Sequence, residues 1–122
     1  MVCSEDGLDE VSLTAKTKIS WLKDGQIEDL IFDPWQESGY SKCRLEDIQG
    51  GTPSENALRL RQVLKGHSKP LDHVVHINAA WAFIAAGKAE SFLEGLLLAQ
   101  DSISSGKAYQ KLEELVDKTN SF

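Results

Sequence analysis

The chain has 122 residues, 41% of them hydrophobic and 26% charged, and 13 Lys+Arg against 19 Asp+Glu give a formal net charge of −6. That length builds one hydrophobic core, and the acidic balance argues against a general binder of phosphate backbones. Cys3 and Cys43 are too few for a disulfide framework and match no zinc spacing. No apolar run reaches membrane-spanning length, and the opening MVCSEDGLDE has no signal-peptide core. The expectation is a soluble cytoplasmic domain.

The first third reads as extended structure. Met1-Val2-Cys3 looks like the interior of a strand, Val11-Ser12-Leu13 alternates, and Thr17-Lys18-Ile19-Ser20-Trp21-Leu22 alternates again. Asp24-Gly25 then separates that run from Ile27-Glu28-Asp29-Leu30-Ile31-Phe32, which predicts a hairpin stopped at Asp33-Pro34. Residues 34–51 are expected to connect, with a short strand or turn at Arg44-Leu45-Glu46-Asp47-Ile48.

From Thr52 the period becomes helical. Thr52-Pro53-Ser54-Glu55 is a capping-box pattern with proline at the first helical position, and Ala57, Leu60, Val63 and Leu64 follow at helical spacing. A second helix is predicted from about Pro70 to Ala86, and its Ile77–Ala86 segment is small and apolar nearly all round, as a central helix should be. A third near 89–105 carries Phe92, Leu93, Leu96, Leu97 and Ile103; a fourth from Lys107 is expected to turn Tyr109, Leu112, Leu115 and Val116 inward. The predicted fold is α+β: a leading strand and an antiparallel hairpin followed by about four helices.

The oddity is the start, where Glu5, Asp6, Asp9 and Glu10 place four carboxylates without a neighbouring base. The adjacent pair Asp9-Glu10 offers hard oxygen ligands of the kind Mg²⁺ takes together with water and substrate phosphate; a solvated acidic turn would read the same way. Among other candidates, His73 and His76 share a helical face at i, i+3, and with His67 they lack a third well-spaced ligand, so packing is the expectation. Neither Cys3 nor Cys43 belongs to a recognisable nucleophile constellation. Arg59, Arg61, Lys65 and Lys69 form an acid-free stretch, but Arg59 and Arg61 lie on different sides of a helix, as on an ordinary solvated surface, and no nucleic acid is expected. Asn78, inside the apolar helix, needs hydrogen-bond partners and is expected to organise packing or a neighbouring loop. Trp21, Trp35 and Trp81 are read as core or hairpin-face residues.

Taken in order, Gly7-Leu8-Asp9-Glu10-Val11-Ser12, Gly50-Gly51-Thr52-Pro53-Ser54-Glu55-Asn56-Ala57, Ile77-Asn78-Ala79-Ala80, Glu94-Gly95 and Ser105-Gly106-Lys107-Ala108 closely resemble the C-terminal part of the anthranilate phosphoribosyltransferase family. The resemblance covers essentially the whole chain, residues 1–122, as the C-terminal portion of an α/β catalytic domain of the phosphoribosyltransferase/nucleoside phosphorylase type. It implies a Mg²⁺-dependent transfer of phosphoribosyl from phosphoribosyl pyrophosphate to anthranilate in tryptophan biosynthesis, with Asp9 and Glu10 as the metal ligands. The chain departs from the family pattern at Cys3-Ser4, where His-Gly is usual, and at Thr52, where Asp is usual. The family's glycine-rich phosphate loop, the arginine side of its anthranilate site and its helical N-terminal domain have no counterpart in the 122 residues. The resulting expectations are a chain inactive alone, self-association or an N-terminal partner chain, no membrane partner, and, as an alternative, a non-catalytic interaction module.

Overall fold

The computed structural model describes residues 1–121. Strands β1 (Val2–Ser4), β2 (Thr17–Lys23) and β3 (Gln26–Phe32) form an antiparallel sheet in that order. The β2–β3 hairpin closes through Asp24 and Gly25, with φ of 51° and 75°, and pairs Lys23 with Gln26. Two successive positive φ angles suit a tight turn matched to the strand twist, which is why Asp-Gly marked it. Thr17, Ile19 and Phe32 are buried on the inner face of the sheet. The outer face leaves Leu22, Ile27 and Ile31 exposed around the Lys18–Asp29 ion pair at 2.8 Å.

Six helices follow: α1 (Pro34–Ser38), α2 (Leu45–Ile48), α3 (Pro53–Val63), α4 (Leu71–Ala85), α5 (Phe92–Ser104) and α6 (Lys107–Thr119). The four predicted helices are α3 to α6. The two additional one-turn helices lie in the expected connecting region, and Arg44–Ile48 is therefore helix-forming, not strand. Both arise from local side-chain bonds that carry no periodicity. Asp33 caps α1 by accepting from the Trp35 and Gln36 amides at 3.2 Å each. Asp47 accepts from the Arg44 amide at 2.9 Å and from its guanidinium at 2.8 and 3.2 Å. The capping box on α3 is present, with Thr52 N–H donating to Glu55 at 2.7 Å and the Glu55 amide donating to Thr52 Oγ1 at 3.4 Å.

Val11–Leu13 is not a strand. It belongs to the β1–β2 connection, yet all three residues are buried, and Val11 and Leu13 enter the core with Ile19, Phe32, Val74, Ile77, Ala80 and Leu96. Core packing produced the alternation that resembled a strand. Helix α4 is central, as expected, and α5 crosses it closely at Gly95. A Cβ at Gly95 would stand 2.6 Å from the Ala80 carbonyl oxygen, so only a hydrogen fits at the crossing. Trp81 packs edge-on against Phe32 at 5.4 Å and against Trp21 at 6.3 Å, and the Trp35 indole donates to the Leu13 carbonyl at 2.9 Å. These placements match the core and hairpin-face reading of the tryptophans.

Helix α6 meets the expectation in part: Tyr109, Leu112 and Val116 are half-buried, none fully, whereas Leu115 is 58% exposed; the helix is fastened by Glu113 and Tyr109, both bonded to Arg61. Leu93 and Leu97 likewise face outward on α5. No helix among the described residues is long and apolar enough to cross a membrane.

Because the α4–α5 crossing has backbone on both sides, Gly95→Ala is expected to lower stability by about 1–3 kcal/mol through overpacking. Urea unfolding checks this, and an unchanged midpoint would contradict the close-contact account.

Candidate metal centre

The β1–β2 connection, residues 5–16, presents the acidic cluster. Gly7, at φ 89°, lets the chain reverse, so that the Ser4 amide donates to the Leu8 carbonyl at 3.0 Å and the Gly7 amide to the Ser4 carbonyl at 3.1 Å. The base of the loop is closed by the Glu5 amide and the Ser4 hydroxyl, both donating to the Lys16 carbonyl, at 2.9 and 3.2 Å. Ser4 is buried and acts in this closure.

The carboxylates divide into two kinds. Asp6, though exposed, is bonded across the loop, accepting from the Leu8 amide at 3.2 Å, the Ser12 hydroxyl at 2.6 Å and the Thr14 hydroxyl. Partial burial works against its charge, but the hydroxyls of Ser12 and Thr14 outweigh that and hold its carboxyl at about 2. Asp9 and Glu10 are exposed, and neither forms an ion pair among the described residues. Partial burial, then the charges of Asp9 and Asp6, push the Glu10 carboxyl above its ordinary value. Three negative groups thus crowd one loop with no cation to offset them.

Past this pair the loop is gripped by α4. Asn78 Oδ1 accepts from the Val11 amide at 2.9 Å, while Nδ2 donates to the Val11 carbonyl at 2.8 Å and to the Val74 carbonyl at 3.0 Å. The expectation that Asn78 organises a neighbouring loop is met, and the loop is the acidic one. A second asparagine repeats the device: Asn56 accepts from the Gly51 amide at 2.8 Å and donates to its carbonyl at 3.1 Å, fixing the turn before α3.

The other candidates go elsewhere. His73 stacks on Tyr40 with ring centroids 3.8 Å apart. The Tyr40 hydroxyl accepts from Gln100 at 2.8 Å and lies 3.0 Å from His76 Nδ1, so its own proton can donate to a neutral imidazole. Burial holds both imidazoles below their ordinary value despite the nearby Asp72 charge. Burial and the Asp47 charge push the Cys43 thiol up, and Cys3 is exposed. Arg59 donates to the Gln49 carbonyl, Arg61 pairs with Glu113, and Lys65 sits 4.7 Å over the Tyr109 ring, so three of the four bases have partners within the chain. No group of three or more His, Cys, Asp or Glu among the described residues is arranged to hold a metal ion. What the loop offers is two adjacent exposed carboxylates with no ion-pair partner among the described residues. The bonding of Asp6 to two hydroxyls was not foreseen; the spacing Asp6, Ser12, Thr14 follows neither a helical nor a strand period.

Residues 1–109 match the pattern described as "Glycosyl transferase family, a/b domain". The chain belongs to this glycosyl transferase family. Within it, the anthranilate phosphoribosyltransferase of Desulfosudis oleivorans is 45% identical over 122 residues, which is 99% of this chain and 36% of that relative. The one from Methanobrevibacter smithii is 39% identical over 120 residues, 98% of this chain and 36% of the relative. Among solved structures, anthranilate phosphoribosyltransferase from Saccharomyces cerevisiae in complex with 4-fluoroanthranilate superposes with a TM-score of 0.87 at 27% identity, over 99% of this chain and 35% of that one. The same yeast protein in complex with PRPP and Mg gives 0.84 at 29% identity, with the same coverage. The Thermus thermophilus structure gives 0.82 at 38% identity over 95% of this chain and 34% of that one. This glycosyl transferase chain spans about a third of the length of the relatives it matches.

The depressed Asp6 carboxyl makes the folded loop bind fewer protons than the unfolded chain in acid. Its stabilising contribution is complete above the ordinary value of 3.8 and is lost as the pH falls through about 2. Asp6→Asn should therefore flatten the acid-side decline of stability over that interval, measured by urea unfolding at stepped pH. Superimposable slopes for the two proteins would contradict this reading.

Proposed function

We propose that this chain is the C-terminal portion, residues 1–122, of an anthranilate phosphoribosyltransferase, and that Asp9 and Glu10 are its contribution to a Mg²⁺ site. The observation that carries the reading is the exposed carboxylate pair without an internal cation, on a tightly bonded loop, in a chain 45% identical to the Desulfosudis oleivorans enzyme. The yeast relative crystallised with PRPP and Mg supplies the matching chemistry. In the reaction, the ribose C1–oxygen bond to pyrophosphate breaks and a bond from C1 to the amino nitrogen of anthranilate forms.

The donor set fits the ion. Mg²⁺ takes one or two carboxylates and completes its shell with water and phosphate oxygens, and the unrelieved charge of Asp6, Asp9 and Glu10 favours a cation at this loop. Bound there, Mg²⁺ supplies positive charge against the departing pyrophosphate and fixes its direction. The chain's own work is to hold the pair in place: the β1–β2 closure sets the base of the loop, Asp6 ties its interior to Ser12 and Thr14, and Asn78 sets its exit. In a chain of charge −6 the reaction's polyanions are otherwise repelled. The phosphate-cradling and anthranilate-binding elements belong to the remaining portion of such an enzyme, which makes that portion, on the same chain or a separate one, the natural partner. A cytoplasmic location goes with this reading.

A Mg²⁺ titration followed by NMR tests the assignment. Shifts at Asp9 and Glu10 in the wild type should exceed those in the Asp9→Asn/Glu10→Gln variant; equal shifts would overturn the metal role and favour a non-catalytic interaction module. In a steady-state assay the 122-residue chain alone should release no pyrophosphate from phosphoribosyl pyrophosphate and anthranilate. Mg²⁺-dependent turnover by that chain would contradict the division of the site.

A further inference from the structure

The structure assigns to Asn78 the role of positioning residue for the Asp9-Glu10 pair, an inference that rests on the metal reading above. Among the described residues, the backbone between Leu8 and Ser12 finds hydrogen-bond partners only in Asn78. Leu8 is held through its amide to Asp6 and its carbonyl to Ser4, and Ser12 through its amide to Thr17 Oγ1 at 3.1 Å. The stretch that carries the candidate ligands therefore spans two fixed points with one intermediate fastening.

That fastening acts on the peptide adjoining a ligand. The Val11 amide lies in the same plane as the Glu10 carbonyl, so the bond to Asn78 Oδ1 orients the Glu10–Val11 peptide, and the bond from Nδ2 fixes Val11 on its other side. The third bond, from Nδ2 to Val74 one turn earlier in α4, locks the orientation of the amide itself. Planarity carries that orientation as far as the Glu10 Cα, the atom from which its side chain departs. Val11 is also held by burial of its own side chain. Loss of the amide would thus leave the core contact in place while releasing the peptide from its orientation, which separates ligand positioning from folding. Groups bonded directly to a metal-ligating side chain typically alter affinity 10- to 100-fold when removed, and Asn78, which bonds the adjoining peptide, acts at one remove and falls at or below the lower end of that range.

The test uses Mn²⁺ as probe on the full 122-residue chain, with binding read from the EPR of free ion and with amide exchange at Val11 measured by NMR in the absence of metal. Asn78→Ala should weaken Mn²⁺ binding, by up to about 10-fold, and remove the protection of the Val11 amide. Ile103→Val, in a buried position outside the cluster that holds Val11, serves as a destabilised control and should leave both unchanged. If Asn78→Ala fails to fold by circular dichroism, Asn78→Asp replaces it, since it keeps an acceptor for Val11 N–H and loses both donated bonds. Mn²⁺ affinity equal to wild type in the Asn78 variant, with Asp9→Asn/Glu10→Gln weakened, would overturn the positioning role and leave the metal reading intact. Equal weakening by Ile103→Val would overturn it as a mere effect of stability. Equal binding by the wild type and the Asp9→Asn/Glu10→Gln variant would overturn both.

Discussion

The peptide between Glu10 and Val11 is held by a side chain 67 residues away in sequence, and the architecture of the chain can be followed outward from that contact. Asn78 reaches the acidic loop because α4 passes under it, and α4 occupies that position because its small residues admit neighbours on several sides. Two residues beyond Asn78, the Ala80 backbone meets Gly95 at the closest point of the α4–α5 crossing. A side chain at Gly95 would push the helices apart and move the asparagine relative to the sheet. The loop, the central helix and the helix crossing thus form one mechanical unit, and Val11, Ile77, Ala80 and Leu96 are its shared core.

Charge explains the loop's division of labour. Asp6 is stabilised as a carboxylate by hydroxyl donors inside the loop and so serves as an internal brace. Asp9 and Glu10 receive no such donors, and partial burial together with the charges of Asp9 and Asp6 raises the Glu10 carboxyl. The basic residues of α3 do not offset these charges; Arg59 and Arg61 are committed to Gln49 and to Glu113. Exposed like charges cost little in water, so the loop tolerates the pair as it stands, and on the proposed function a cation would relieve it.

Much of this was legible in the sequence. Asp24-Gly25 between alternating runs gave the hairpin because two positive φ angles need those residue types, and Thr52-Pro53-Ser54-Glu55 gave the start of α3 because each residue supplies one part of a cap. The small, apolar Ile77–Ala86 segment marked α4 as central. What escaped was structure without a period. The one-turn helices α1 and α2 rest on single capping carboxylates, Asp33 and Asp47, and Val11–Leu13 alternates because it enters the core from a loop. Tyr40 meeting His73 and His76 is a tertiary contact between segments more than thirty residues apart in sequence, which no local spacing records. At the candidate site the adjacent Asp9-Glu10 pair was visible in the sequence, whereas the bonding of Asp6 to Ser12 and Thr14 depends on the loop's three-dimensional course. On α6, hydrophobic spacing suggested burial, but few elements lie close enough to cover Leu115.

On the proposed function, the loop carrying Asp9 and Glu10 contributes to a site whose remainder lies in the part of the related enzymes that this chain does not span. The most direct measurement mixes this chain with the corresponding N-terminal portion of an anthranilate phosphoribosyltransferase and follows pyrophosphate release in the presence of Mg²⁺. Turnover that appears only in the mixture, and disappears when this chain carries Asp9→Asn/Glu10→Gln, is the predicted result. A stable complex with no turnover, or turnover indifferent to those two substitutions, would contradict the account.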